Sequence, residues 1–192
     1  MRAGRFGGFA GFAEIKNRVN GHPPTRPVVL IFMGVAGCGK TTVAKLFAQK
    51  SGATFYEGDD FHPPENIAKM RAGVPLTDAD RADWLNALWK IISQSLAANT
   101  LTALTCSALK AKYREQLQAG DPRVQFVHLT SSREVIEARM TKRTGHFMPS
   151  ALLDSQFAIL EAPPDALIFS VEKRPAEIVA ELIQVLGSMR IV

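Results

Sequence analysis

From Pro27 onward the chain alternates short apolar runs with longer stretches whose apolar residues recur at helical spacing. "VVLIFMG" (28–34) predicts a buried strand, and "KTTVAKLFAQKSG" (40–52) a helix with Val43, Leu46 and Phe47 on one face and Gly52 at its end. "ATFYEGDD" (53–60) predicts a short strand running into acids, and "PENIAKMRAG" (64–73) a short helix between a proline and Gly73. A longer helix is expected from Thr77, whose side chain can cap it with Asp80 three residues on, burying Trp84, Leu85, Leu88, Ile92 and Leu96. "LTALTCSAL" (101–109) and "VQFVHLTS" (124–131) predict strands, with a helix over "KAKYREQLQAG" (110–120) between them. A helix from Ser131 to about Arg143, with Glu134 completing a capping box, precedes another near 149 to 160. Strand "ALIFSV" (166–171) and helix "PAEIVAELIQVLG" (175–187) close the chain. Five strands joined by helical crossovers predict an α/β fold with a parallel sheet and helices on both faces.

The first 26 residues break this pattern. Scattered glycines and phenylalanines show no sustained period, so 1–26 is expected to be a flexible N-terminal extension and 27–192 the folded domain. Charge divides at the same place: residues 1–26 hold five basic side chains and one acid, whereas 27–192 hold 18 basic and 17 acidic, so most of the net charge of +5 lies in the extension. A nearly neutral domain argues against a nucleic-acid partner. No run reaches the roughly 18 apolar residues of a membrane span, and the N-terminus lacks the apolar segment and small-residue cleavage site of a secretory signal. Two cysteines, Cys38 and Cys106, are too few for a disulfide framework. A cytoplasmic protein with free thiols is expected.

The chemistry starts where the first apolar run ends. "GVAGCGKTT" comprises Gly34, Val35, Ala36, Gly37, Cys38, Gly39, Lys40, Thr41 and Thr42, and it satisfies GxxxxGK[ST] between a predicted strand and a predicted helix. Backbone N–H groups and the helix N-terminus make an anion cradle there, Lys40 reaches the outer phosphates and the Thr41 hydroxyl ligates Mg2+. The other apolar strands do not end in aspartate as in motor ATPases, and no NKxD motif of a guanine-nucleotide switch occurs. A compact kinase using ATP and taking its acid from elsewhere remains.

"EGDDFHPPENIAKM" supplies that acid at the carboxyl end of the second strand, where doubly wound sheets bind ligands. Asp59 is assigned the base that accepts a substrate hydroxyl proton, and Glu57 a metal role through water; a solvated acidic turn is the alternative. His62, Asn66 and Lys69 follow as donors and acceptors suited to a polyhydroxylated substrate, although His62 alone also reads as a packing histidine. Lys110 and Arg114, one helical turn apart, suit a carboxylate or phosphate; otherwise they are solvated helix charges. Arg139 and Arg143 precede Thr144 and Gly145, which permit a hinge, so residues of about 139–149 are expected to form a lid that delivers arginines to the transferring phosphate.

Taken together, "MGVAGCGKT", "EGDDFHPPENIAKMRAGVPLTDADRADWL", "CSALKAKYRE" and "RTGHFMPSALLDSQFAILE" resemble the thermoresistant gluconokinases, and the match covers about Val28 to Gly187. The resemblance implies a three-layer P-loop NTPase fold of the adenylate and shikimate kinase type with a small lid. It also implies ATP- and magnesium-dependent phosphorylation of D-gluconate at its 6-hydroxyl, feeding the pentose phosphate or Entner-Doudoroff pathway, usually by a homodimer. By position, Gly34 to Thr42 look like the ATP phosphate loop and Asp59 like the catalytic acid. His62, Asn66, Lys69, Lys110 and Arg114 resemble the substrate side, and Arg139, Arg143 and His146 the lid. Glu57 stands where the family has aspartate, Cys38 replaces the usual serine, and the extension has no counterpart. Two rivals stay open: the same chemistry on shikimate or a nucleoside monophosphate, and a non-catalytic ATP-binding switch.

Overall fold

The computed structural model describes residues 27–141 and 150–188. The predicted extension 1–26, and Arg143, His146 and the rest of 142–149, lie outside the described residues. Among the described residues five strands form one sheet: β1 (Val29–Met33), β2 (Thr54–Tyr56), β3 (Thr102–Thr105), β4 (Val124–Thr130) and β5 (Leu167–Ser170). Their order is β2-β3-β1-β4-β5, and every pairing is parallel. The helices are α1 (Lys40–Ser51), α2 (Pro64–Arg71), α3 (Asp78–Ala97), α4 (Ala111–Gln118), α5 (Arg133–Thr141), α6 (Ser150–Ile159) and α7 (Pro175–Gly187).

β1 is buried along its whole length because it is central and covered on both faces, which is why it reads as an unbroken apolar run. Leu30 and Phe32 point into a cluster with Val43 and Phe47 of α1 and Ile178 and Leu182 of α7. Val29, Ile31 and Met33 point the other way, against Trp84, Leu88 and Ile92 of α3 and Leu117 of α4. These two cores make the three layers. The expected burial of Trp84, Leu85, Leu88, Ile92 and Leu96 holds, with Ile91 and Ser95 added.

Thr77 caps α3 as its sequence predicts: its hydroxyl accepts from the Asp80 N–H at 3.2 Å, and the Asp80 carboxylate accepts from the Thr77 N–H at 2.8 Å. α5 departs from expectation, starting at Arg133. Ser132, not Ser131, is the capping side chain, its hydroxyl accepting from the Val135 N–H at 3.4 Å. The helix predicted to Gly120 ends earlier, with Ala119 already left-handed at φ 46° and Gly120 following at φ 76°. After β2 the acidic segment forms a 3-10 turn, Gly58–Phe61, that periodicity could not reveal.

Candidate active site

The phosphate loop leaves β1 at the carboxyl edge of the sheet and enters α1 directly. Gly34 has φ 137°, and a Cβ there would stand 2.6 Å from the Leu129 carbonyl and 3.0 Å from the Cys38 sulfur, so the chain can pass β4 at this point only as glycine. Gly39, at φ 97°, is the N-cap of α1 and offers no side chain, so the N–H groups that open the helix have no side-chain cap. Backbone donors, the positive end of a helix and no competing acceptor are what a phosphate requires. Lys40 folds back over this loop and donates at 3.0 Å to the carbonyls of Gly34 and Val35. Thr41, half-buried in the first turn, and Thr42 stand beside it. Magnesium takes hard oxygen ligands and keeps several waters, so one threonine hydroxyl with phosphate oxygens is a fitting donor set.

The acid segment is anchored to β3. The Gly58 N–H donates to Thr105 Oγ1 at 2.9 Å, the Thr105 hydroxyl donates to the Glu57 carboxylate, and Trp84 Nε1 donates to the Gly58 carbonyl at 2.7 Å. Gly58 is buried, and a Cβ on it would lie 1.9 Å from the Thr105 carbonyl oxygen. This clamp leaves the next residue, Asp59, exposed at the front of the turn. The buried Cys106 thiol at the end of β3 registers what converges there. Burial pushes it up to about 12; among the weaker influences, the Asp59 charge raises it while those of Lys40 and Arg81 lower it.

The expected substrate-side residues differ in how they are placed. His62 is 8% exposed and stacks on Trp84, ring centroids 4.2 Å apart. Burial, then the Arg81 charge, brings its pKa down to about 4, so the ring is neutral at physiological pH. Asn66 is buried and donates to the Asp80 carbonyl at 2.6 Å, with His62 Nδ1 3.4 Å from the same amide nitrogen. Lys69 pairs with Asp80 at 2.6 Å and Lys110 with Asp78 at 2.7 Å. Asp78 also takes Lys112 and the Tyr113 hydroxyl, and these partners, Lys110 first, hold its carboxyl well below the usual range. Arg114 is 7% exposed and donates to the carbonyls of Ala108 and Leu109, fixing the turn after β3. Arg139, in the last turn of α5, donates to the Val171 carbonyl beyond β5. Cys38, in the phosphate loop, and Cys106, just after β3, are both free and buried.

Arg81 and Thr105 were not singled out from the sequence. Arg81 lies in the first turns of α3, donates to the Leu76 carbonyl at 2.8 Å and sits 5.8 Å over the Tyr113 ring. Its charge also bears on His62, Cys106 and Tyr113. The available signal was the arginine one turn after a strong helix cap; for Thr105 there was none, because a strand threonine is unremarkable until its neighbour is known.

The AAA domain family profile matches residues 29–163. The chain is 47% identical to a gluconokinase of Gluconobacter oxydans over 162 residues, covering 83% of this chain and 91% of that one. Among solved structures, a Janibacter sugar kinase superposes with a TM-score of 0.78 at 46% identity, covering 85% and 95% of the two chains. A gluconokinase from Sinorhizobium meliloti gives a TM-score of 0.76 at 42% identity, covering 85% and 93%. A phosphate loop on a five-stranded parallel sheet, an acid clamped beside it, and relatives matched over nearly their full length agree: the chain belongs to the gluconokinase family of P-loop kinases.

Proposed function

We propose that the protein transfers the terminal phosphate of ATP to the 6-hydroxyl of D-gluconate, giving 6-phospho-D-gluconate and ADP. The observation that carries this reading is a phosphate loop with Lys40 folded over the Gly34 and Val35 carbonyls, together with an acid segment fixed to the end of β3 by the Gly58–Thr105 and Trp84–Gly58 hydrogen bonds. Asp59 takes the proton of the attacking hydroxyl, and the rigid clamp through Gly58 and Thr105 keeps it aimed. Within the loop Gly34 to Thr42, the backbone donors that open α1, Gly39 to Thr42, hold the phosphates, and Lys40 leaves its loop carbonyls for the outer phosphate oxygens. Thr41 would hold magnesium with Glu57 behind it through water; magnesium when bound neutralises charge on the phosphate oxygens. Arg81 suits the carboxylate end of a sugar acid, with His62, Asn66, Lys69, Lys110 and Arg114 framing the acceptor side. Arg139 with Arg143 and His146 would serve the lid of about 139–149, of which 142–149 lie outside the described residues.

We extend the reading to a cytoplasmic homodimer, in keeping with the fact that no described helix is long and apolar enough to cross a membrane. ADP release, measured with gluconate, other sugar acids, shikimate and nucleoside monophosphates at equal concentration, tests the substrate. Gluconate should stand clearly above the rest; equal or greater turnover of another acceptor overturns the assignment. Light scattering of the eluted peak tests the dimer.

A further inference from the structure

One peptide group of the phosphate loop is gripped from both sides. The Val35 carbonyl accepts from Lys40 Nζ at 3.0 Å, and the N–H of the same peptide, on Ala36, donates to Gln156 Oε1 at 2.6 Å. A trans peptide points its C=O and N–H in opposite directions within its plane, so Gln156 and Lys40 stand at opposite edges of one rigid plane. Gln156 is 120 positions away in sequence, on α6, and is half-buried.

The location matters because Lys40 is the side chain that meets the outer phosphates. Its ammonium rests against the carbonyls of Gly34 and Val35, so the transferable end of the triphosphate belongs beside residues 34–36, not deeper at the helix. The neighbouring residue is held from the same side of the molecule. A Cβ on Gly37 would meet Met140 at 2.9 Å and Ile136 at 3.1 Å, both on α5. α5 and α6 are joined in turn by Arg133, which reaches Asp154 at 2.8 Å and Glu137 at 3.0 Å. Two consecutive loop residues therefore take their position from the α5–α6 pair, one by packing and one by a directed hydrogen bond.

The geometry points to Gln156 as a positioning residue for phosphoryl transfer. It fixes the Val35–Ala36 peptide plane, and through that plane the place of the Lys40 ammonium at the outer phosphate. With the acceptor removed, the Ala36 N–H loses the hydrogen bond that holds the plane from α6, and the plane gains freedom to rotate about Val35 ψ and Ala36 φ. Lys40 then loses a defined carbonyl partner before ATP binds and a defined loop shape afterwards. Polar side chains on helices packed against a loop commonly only fill space; the short contact to a loop N–H on the plane that also binds the lysine argues for more than that.

This inference rests on the kinase reading above, so the test has one arm that does not depend on the acceptor. Q156M keeps the length and bulk of the side chain but accepts no hydrogen bond from Ala36; Q156E keeps an acceptor. In the 15N-labelled full chain without nucleotide, the Ala36 amide proton should resonate downfield in the wild type and in Q156E, and move upfield with faster solvent exchange in Q156M. Kinetically, kcat of Q156M per folded molecule should fall about 10- to 100-fold, the scale of a slightly misplaced catalytic group, while KM for gluconate stays put. A Q156M enzyme with wild-type kcat, or an Ala36 resonance indifferent to the substitution, overturns the inference. A kcat loss matched by an equal loss of folded protein overturns it as well, since that is the mark of a merely structural residue. If wild-type protein itself ignores gluconate, the substrate assignment fails while the amide measurement still decides the role of Gln156.

Discussion

Replacing Gly58 with alanine adds a single methyl group and should disable the enzyme. The new Cβ would sit 1.9 Å from the Thr105 carbonyl oxygen, where ordinary contacts begin above 3.0 Å, so the turn or the end of β3 must move by about 1 Å. Neither partner is a pliable side-chain tip; one is strand backbone and the other a turn held at both faces. The displacement stretches the Gly58 N–H bond to Thr105 and the Trp84 bond to the Gly58 carbonyl. Overpacking of this kind costs about 1–3 kcal/mol, and weakening two buried hydrogen bonds adds about 1 kcal/mol each at most. For a domain of this size a total of about 1–5 kcal/mol lowers the melting temperature by roughly 2–20 °C, measurable by differential scanning fluorimetry. Catalysis should suffer more than stability, because Asp59 is the next residue and a misplacement near 1 Å can cost about 100-fold. ADP release at saturating gluconate and ATP, compared with nucleotide binding by calorimetry, separates the two: turnover falls while ATP affinity holds. G58A protein that melts and turns over like the wild type would refute the claim that this glycine is required by close approach.

Asp59→Asn should leave ATP binding intact and lower turnover by about two to four orders of magnitude, as expected for a positioned base; unchanged turnover in the ADP-release assay removes Asp59 from the mechanism. Arg81→Met should raise KM for gluconate by roughly 10- to 100-fold with little change in KM for ATP, and equal effects on both would deny it an acceptor-side role. For pH, His62 titrates near 4 folded against about 6.5 unfolded, so between those values the unfolded chain binds the extra proton and stability falls as pH drops from about 6.5 toward 4. Burial lowers His128 in the same direction, so His62→Gln should flatten the acid limb of chemical denaturation in part and His62→Gln with His128→Gln further. An acid limb unchanged in the double variant would contradict both burial effects.

The parallel sheet, its helices and the phosphate loop were legible because each is encoded locally: period two or an unbroken apolar run for strands, 3.6 for helices, glycine spacing for the loop. α3 could be placed to the residue because Thr77 and Asp80 form a cap that no other reading explains. The cap of α5 falls one residue later than expected because Ser131 and Ser132 offer equivalent caps, and which one serves depends on tertiary packing. Within the site, the loop and the acid segment could be named from composition, but their assembly could not. Thr105 orders Glu57 and Gly58 from a strand 47 residues away, and no spacing rule connects them. The same holds for Arg81, which leaves α3 to reach the Leu76 carbonyl and the Tyr113 ring, and for the pairing of Lys69 and Lys110 with the acids that open α3.

β3 lies between the strand that carries the phosphate loop and the strand that carries the acid. Adjacent strands stand about 4.8 Å apart, so the two halves of the machinery are separated by roughly 10 Å, two ladder spacings, with the end of β3 as the floor between them. That width admits a slender open-chain alcohol laid against a phosphate and leaves little room for a folded macromolecule. It also divides the gene for the purposes of engineering: the stretch from His62 to Arg81 can be varied to seek new acceptors while the acid turn and the donor half, built on another strand, are left untouched.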